Sequence, residues 1–252
     1  MTCWPHRWRV LVLGLALGAA ALLAGCAPSN GEKSGQDKPA AAATAVGKAQ
    51  PAAGRGGPVA QGSGFDFYVL SLSWSPSYCE AEGAEANRQQ CGTARPYAFV
   101  VHGLWPQYER GYPQDCDTDQ RNVPDRTLRG LSDIMPSTGL IRHEWKTHGS
   151  CSGLSQGDYF DVLRAAREKV VVPAQFRRLD SYRTLAPNEA EAAFLKDNPG
   201  LPADGIAVTC DRRLLREVRI CMTRQLAFRS CPEIDRRDCK RWTVVMPPVR
   251  GG

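Results

Sequence analysis

Apolar positions along the chain fall into segments with different periods. From Phe65 to Trp74, Tyr68, Leu70, Leu72 and Trp74 lie on one side of an extended chain and Ser71 and Ser73 on the other. That alternation predicts a half-buried strand, stopped by Pro76. Tyr97 to His102 is dense in β-forming residues and ends at Gly103, so it reads as a central strand; Leu214–Met222 and Trp242–Met246 read as two more. Between them the period lengthens. Ser155, with Asp158 three residues on, forms a capping-box pattern and opens a helix to about Val170 whose apolar stripe is Tyr159, Leu163 and Ala166. Asn188 to Lys196 predicts another helix, closed by Asn198, Pro199 and Gly200. Strands, then helices, then strands, with no repeating βαβ unit, predict a single α+β domain with a central antiparallel sheet flanked by helices.

The first 64 residues do not belong to that pattern. Arg7 and Arg9 precede an apolar run of 14 residues, Val10 to Leu23, which leads into Leu23-Ala24-Gly25-Cys26. The run is short of the roughly 20 residues needed to span a bilayer, and small residues precede the cysteine, as in an export signal. Leu-Ala-Gly-Cys resembles the bacterial lipobox. The resemblance implies cleavage after residue 25, lipidation of Cys26, and a protein anchored to a membrane that it does not cross. Ala27 to Gly64 is rich in Ala, Gly and Pro and has no aromatic residue, so it cannot build a core. The expected organisation is therefore a lipoprotein signal peptide over 1–25, a disordered tether over 26–64 and a folded domain over 65–252. The expected location is exported, periplasmic or at the cell surface.

Cysteine and charge refine this picture. Of ten cysteines, Cys3 leaves with the leader and Cys26 carries the lipid. The remaining eight, Cys79, Cys91, Cys116, Cys151, Cys210, Cys221, Cys231 and Cys239, are an even set suited to four disulfides in an oxidising compartment. The chain has a formal charge of +6, but the 64 leading residues hold six of the 32 basic and two of the 26 acidic side chains. The domain is left nearly balanced, so composition says little about a polyanionic partner.

The histidines are more informative. Outside the leader there are three: His102, within Phe99-Val-Val-His-Gly-Leu-Trp-Pro106, and His143 and His148, within His143-Glu-Trp-Lys-Thr-His-Gly-Ser-Cys151. Imidazole suits proton transfer near neutrality, and here every domain imidazole sits in one of two short aromatic-rich segments. A zincin-type metal site needs histidines four apart; His143 and His148 are five apart, about 140° around a helix. Glu144 and His148 are the pair four apart, which places a carboxylate beside an imidazole. Cys151 beside His148 also admits a cysteine-protease reading, but an oxidised cysteine set favours it as a disulfide half.

Together the two segments resemble those of the ribonuclease T2 family. Similarity extends to Trp74-Ser-Pro-Ser-Tyr-Cys79, Glu217-Val-Arg-Ile-Cys221, Cys231-Pro232 and Cys239. The resemblance implies an endoribonuclease that cleaves single-stranded RNA by metal-independent transesterification through a 2′,3′-cyclic phosphate. It makes His148 the base and His102 the acid, with Glu144 polarising or orienting groups at the phosphate. His143 and Lys146 are expected to bind substrate, and Trp105 to offer a base a flat face. It implies no metal and no cofactor; a monomer without an obligate protein partner is expected. It also implies the pairs Cys79–Cys91, Cys116–Cys151, Cys210–Cys239 and Cys221–Cys231.

Two positions depart from the family pattern. Thr147 stands where the family has lysine immediately before its second histidine, with Lys146 one position earlier, which removes an expected donor to the phosphate. Gln107 stands where some relatives have an aspartate that helps read the base, so no sharp base preference is expected. The departure at Thr147 keeps open a catalytically weak relative that binds RNA or a partner, and a metallohydrolase is the other alternative.

Overall fold

The alternating segment forms β1 (Phe67–Trp74), whose inward residues Tyr68, Leu70, Leu72 and Trp74 are wholly buried. Pro76 does more than end it. The strand stops at Trp74 and Pro76 lies in the first turn of α1 (Ser75–Glu82), where a missing N–H leaves no helical bond unmade. In the computed structural model, which describes residues 59–92 and 95–249, the chain continues through α2 (Arg88–Cys91), β2 (Phe99–Gln107), α3 (Asp125–Leu131), α4 (Thr138–Thr147) and α5 (Gln156–Lys169). It ends with β3 (Arg183–Leu185), α6 (Pro187–Asp197), β4 (Ile206–Cys210), β5 (Leu215–Thr223), α7 (Pro232–Asp235) and β6 (Val244–Met246). Ser155 caps α5 as expected, its side chain accepting from the N–H of Asp158.

Four strands build one antiparallel sheet in the order β2-β1-β5-β4, and β3 pairs with β6 in a small second sheet. β2 is therefore an edge strand, not the central strand its apolar density suggests. It is apolar because its inward side packs on the main core, and its outer edge is partly covered, the N–H of Val101 donating to Ile134 O at 2.9 Å. Nor does it end at Gly103; it runs on to Gln107.

The two faces of the sheet differ. Tyr68, Leu70, Leu72, Leu104, Val218 and Ile220 bury one face against Tyr159 and Leu163 of α5, Trp145 of α4 and Phe194 of α6. The opposite face is apolar at one end only, where Phe67, Val69, Ala207 and Cys221 pack with Cys231 and Ile234. Its other end carries Ser71, Ser73, Gly103, Glu217 and Arg219, and it is this polar half that holds the histidine of β2.

Four disulfides join Cys79 to Cys91, Cys116 to Cys151, Cys210 to Cys239 and Cys221 to Cys231. The domain also starts earlier than Phe65. Val59 packs against the core, Gly62 is buried, and the N–H of Ser63 donates to Ser152 O at 2.9 Å, so polar backbone pairing fixes a stretch that has little apolar content. The leader, Cys26 and the rest of the expected tether lie outside the described residues. Among the described residues no helix is long and apolar enough to cross a membrane.

Candidate active site

His102 reaches the polar half of the sheet through an irregularity in β2. Gly103 pairs with Ser71 and Val101 with Leu72, which leaves His102 as the extra residue of a β-bulge. Val101 points into the core; the bulge turns His102 to the other face, a use of bulges common beside functional sites. Across β1, Glu217 of β5 pairs with Ser73, on the same face. There its Oε1 lies 2.5 Å from His102 Nδ1.

The second segment arrives on α4, capped by Ser137, whose side chain accepts from the N–H of Leu140. Glu144 and Trp145 face inward and are almost completely buried, while His143 and Lys146 are exposed. Trp145 fills the core and donates its Nε1–H to Gln120 O at 2.5 Å. His148 is the residue at which the helix ends, with φ −119° and ψ −49°; its N–H still donates to Glu144 O at 3.0 Å. The Cys116–Cys151 bridge then ties the following turn to the loop beside it. Thr147 has a structural use in that tie: its hydroxyl donates to Asp115 Oδ1 at 3.3 Å and its carbonyl accepts from the Asp115 N–H at 2.9 Å.

Trp105 joins the two segments. Its indole centroid lies 5.4 Å from the ring of His102 and 5.5 Å from that of His148, so both imidazoles flank one side chain. Its Nε1–H donates to Glu144 Oε2 at 2.8 Å, and Glu144 Oε1 lies 3.6 Å from His102 Nε2. Gly103 makes this possible: a Cβ there would stand 2.0 Å from Glu144 Oε2 and 2.3 Å from Trp105 Nε1. The ring expected to stack a base carries the guanidinium of Arg219, 5.1 Å from its centroid. Gln107, which stands where some relatives have an aspartate that helps read the base, is buried and donates its amide to Pro106 O at 2.9 Å.

The two imidazoles have opposite electrostatic surroundings. Burial disfavours charge on His102, but the hydrogen bond and charge of Glu217, with Glu144 behind them, outweigh it and raise its pKa above the ordinary 6.5. Burial pushes His148 the other way, to about 4, helped by the nearby imidazoles of His143 and His102 and opposed by Asp115. His148 Nδ1 is buried without a hydrogen-bond partner among the described residues. Burial raises Glu144 to about 7, despite the charge of His102 and the hydrogen bond from Trp105. Glu217, although burial opposes it, is held near 2 by His102 and Arg219. The constellation thus offers one imidazole biased toward its charged form and one held neutral, with a carboxyl beside the first that can hold or release a proton near neutral pH.

The structure thus brings together His102, Trp105, Glu144 and His148, and leaves His143 and Lys146 exposed on α4. Two residues with no role in the sequence reading join them. Glu217 grips His102, and Arg219 bonds Glu217 Oε2 through Nε and Nη2 at 2.9 and 2.7 Å. Their signal was present: two opposite charges two positions apart on one face of a strand whose other face carries Val218, Ile220 and Met222. A charged pair facing inward needs partners, and only the pairing of β5 with β1 supplies them. Among the described residues no group of three or more His, Cys, Asp or Glu side chains is placed to hold a metal ion.

The Ribonuclease T2 family model matches residues 65–231. A ribonuclease of Aeromonas hydrophila is 39% identical over 178 residues, which cover 64% of this chain and 73% of the relative. Ribonuclease I of Escherichia coli is 25% identical over 187 residues, 58% of this chain and 70% of its own. Among solved structures, an RNase-related protein from Calystegia sepium superposes with a TM-score of 0.59 at 20% identity, covering 74% of this chain and 99% of its own. RNase NT, solved in complex with 5′-AMP, does so at 0.52 and 24%, covering 68% and 92%. At such identities the structural likeness is one of fold.

Proposed function

The chain belongs to the ribonuclease T2 family, and we propose that it is an endoribonuclease cleaving single-stranded RNA by transesterification. His148, neutral, takes the proton of a ribose 2′-hydroxyl; the 2′-oxygen attacks the adjacent phosphorus. The bond from phosphorus to the 5′-oxygen breaks, and His102, charged, gives its proton to that leaving oxygen. The products are a 2′,3′-cyclic phosphate end and a free 5′-hydroxyl. The observation that carries this reading is two imidazoles flanking one indole, one gripped through Nδ1 by a buried carboxylate and the other with its Nδ1 buried and without a hydrogen-bond partner among the described residues.

Each neighbour then has a task. Glu217 occupies His102 Nδ1, which leaves Nε2 to face the substrate; His148 has Nδ1 buried, which leaves Nε2 likewise. Glu144, pushed up to about 7, in its protonated form donates to a phosphoryl oxygen as negative charge builds there. Arg219 supplies, as a guanidinium, the positive charge that the family's lysine supplies as an ammonium, approaching from the sheet instead of the helix. His143 attracts the phosphate backbone from the exposed side of α4. The domain works outside the cytoplasm, released from a leader over 1–25, lipidated at Cys26 and held off the membrane by the segment that follows. Replacing Cys26 by alanine moves the protein from the membrane fraction to the soluble one in this account.

The deciding experiment incubates purified protein with RNA and with DNA of the same sequence, with and without EDTA. Cyclic-phosphate ends from RNA alone, unchanged by chelator, are expected. Intact RNA across pH 4 to 8 favours a binding protein instead, and chelator-sensitive cleavage of either polymer favours a metallohydrolase.

A further inference from the structure

A second cavity backs onto the same edge strand. Phe99 and Val100 are neighbours on β2 with opposite orientation. Val100 lines a pocket of about 110 Å³ beside His102, together with Ser73, Tyr78 and Leu140. Phe99, on the core side, lines a larger cavity of about 330 Å³ walled by Val170, Val171 and Val172, the stretch that follows α5. Two arginines close its polar side, Arg167 at the end of α5 and Arg177 beyond it.

Both guanidiniums are fixed to that valine stretch. Arg167 Nη1 donates to Val170 O and Arg177 Nε to Val172 O, each at 2.9 Å. The remaining N–H groups of both are left for something else. Among the described residues neither forms an ion pair with a carboxylate, whereas Arg164, on the same helix, gives its guanidinium to Asp133 at 2.7 Å. Arg167 is half buried, and the charge of Arg177 adds to burial in disfavouring its own; Glu168 opposes this from beyond ion-pair distance. Two guanidiniums lining one cavity with no ion-paired carboxylate among the described residues, over an apolar floor, are an unfinished site. Guanidinium forks match the planar face of an oxyanion, and Phe99 with the valines matches a ring.

We propose that this cavity is a second nucleotide site, in which Arg167 and Arg177 take a phosphate group and Phe99, Val170 and Val172 take the base. The choice of a nucleotide over another organic oxyanion rests on the ribonuclease reading, since that reaction generates phosphate-bearing nucleosides at His102, three residues along β2 from Phe99. The phosphate comes either from a free mononucleotide or from a strand whose scissile bond lies at His102.

Isothermal titration of the full-length protein with adenosine 3′-phosphate tests this, with adenosine as the phosphate-free control. Two sites per chain are expected for the phosphate, and none at the second cavity for adenosine. Val171→Asp places a carboxylate at an exposed position of the wall, and Arg177→Gln removes one fork. Each is expected to weaken the second site at least about tenfold with turnover at saturating RNA and melting temperature unchanged. Repeating the titration with a short oligodeoxynucleotide separates the sources. A parallel loss in the variants identifies a strand as the occupant, and a loss confined to the mononucleotide identifies free product. One site per chain in the unaltered protein, or equal affinity in both variants, overturns the proposal. Two-site binding with no RNA cleavage leaves this site standing and removes the ribonuclease mechanism instead.

Discussion

His102 and His148 are the same side chain put to opposite uses. His102 comes from a bulge at a sheet edge, is gripped through Nδ1 by a buried carboxylate, and keeps its proton above the ordinary range. His148 comes from the C-terminal end of a helix, has a buried nitrogen without a partner among the described residues, sits near other imidazoles and is held neutral down to about pH 4. Neither fate is decided by the histidine's immediate sequence neighbours. What separates them is the carboxylate that a distant strand supplies to one and withholds from the other.

The largest expected effects come from removing either half of the pair. His102→Ala and His148→Ala should each lower turnover on RNA by about 10² to 10⁴, and the double variant should lose little more, because acid and base act in one step. Next comes Arg219→Ala, expected to lower turnover about 10²-fold. Its alkaline limb is the discriminating readout. Arg219 lowers the pKa of His102, so its loss leaves that limb in place or moves it to higher pH, whereas mere displacement of Glu217 would move it down.

Glu217→Gln is smaller and more specific. Glu217 raises the pKa of His102, and the acid is lost as pH rises through that pKa. Without the carboxylate the loss begins earlier, so activity at pH 7 falls about tenfold for each unit by which the pKa drops below 7, while activity near pH 5 changes little. The smallest effect is expected from exposed His143. His143→Ala should raise KM about two- to fivefold and move the acid limb upward, because His143 helps to keep His148 deprotonated.

Periodicity made some of the fold legible and left the rest hidden for identifiable reasons. β1 and α5 can be read directly, since each has one apolar side and Ser155 marks a helix start. β4 cannot: five residues, Ile206–Cys210, show no alternation because Ile206, Ala207 and Val208 are buried on both sides of the strand. The edge position of β2 is hidden by the same logic, its apolar density reporting burial and not strand order. In the site, the histidines and Glu144 stand out because chemistry is concentrated in two short segments. Glu217 and Arg219 do not, since a charged pair on a strand means little until β1 and β5 pair and bring it to His102.

The most direct test follows the two rings themselves. A proton NMR titration of the imidazole Hε1 signals, assigned with the single histidine variants, should show His148 titrating near pH 4 and His102 above 6.5. Both rings titrating together near the ordinary value, or in the reverse order, would contradict the division into acid and base.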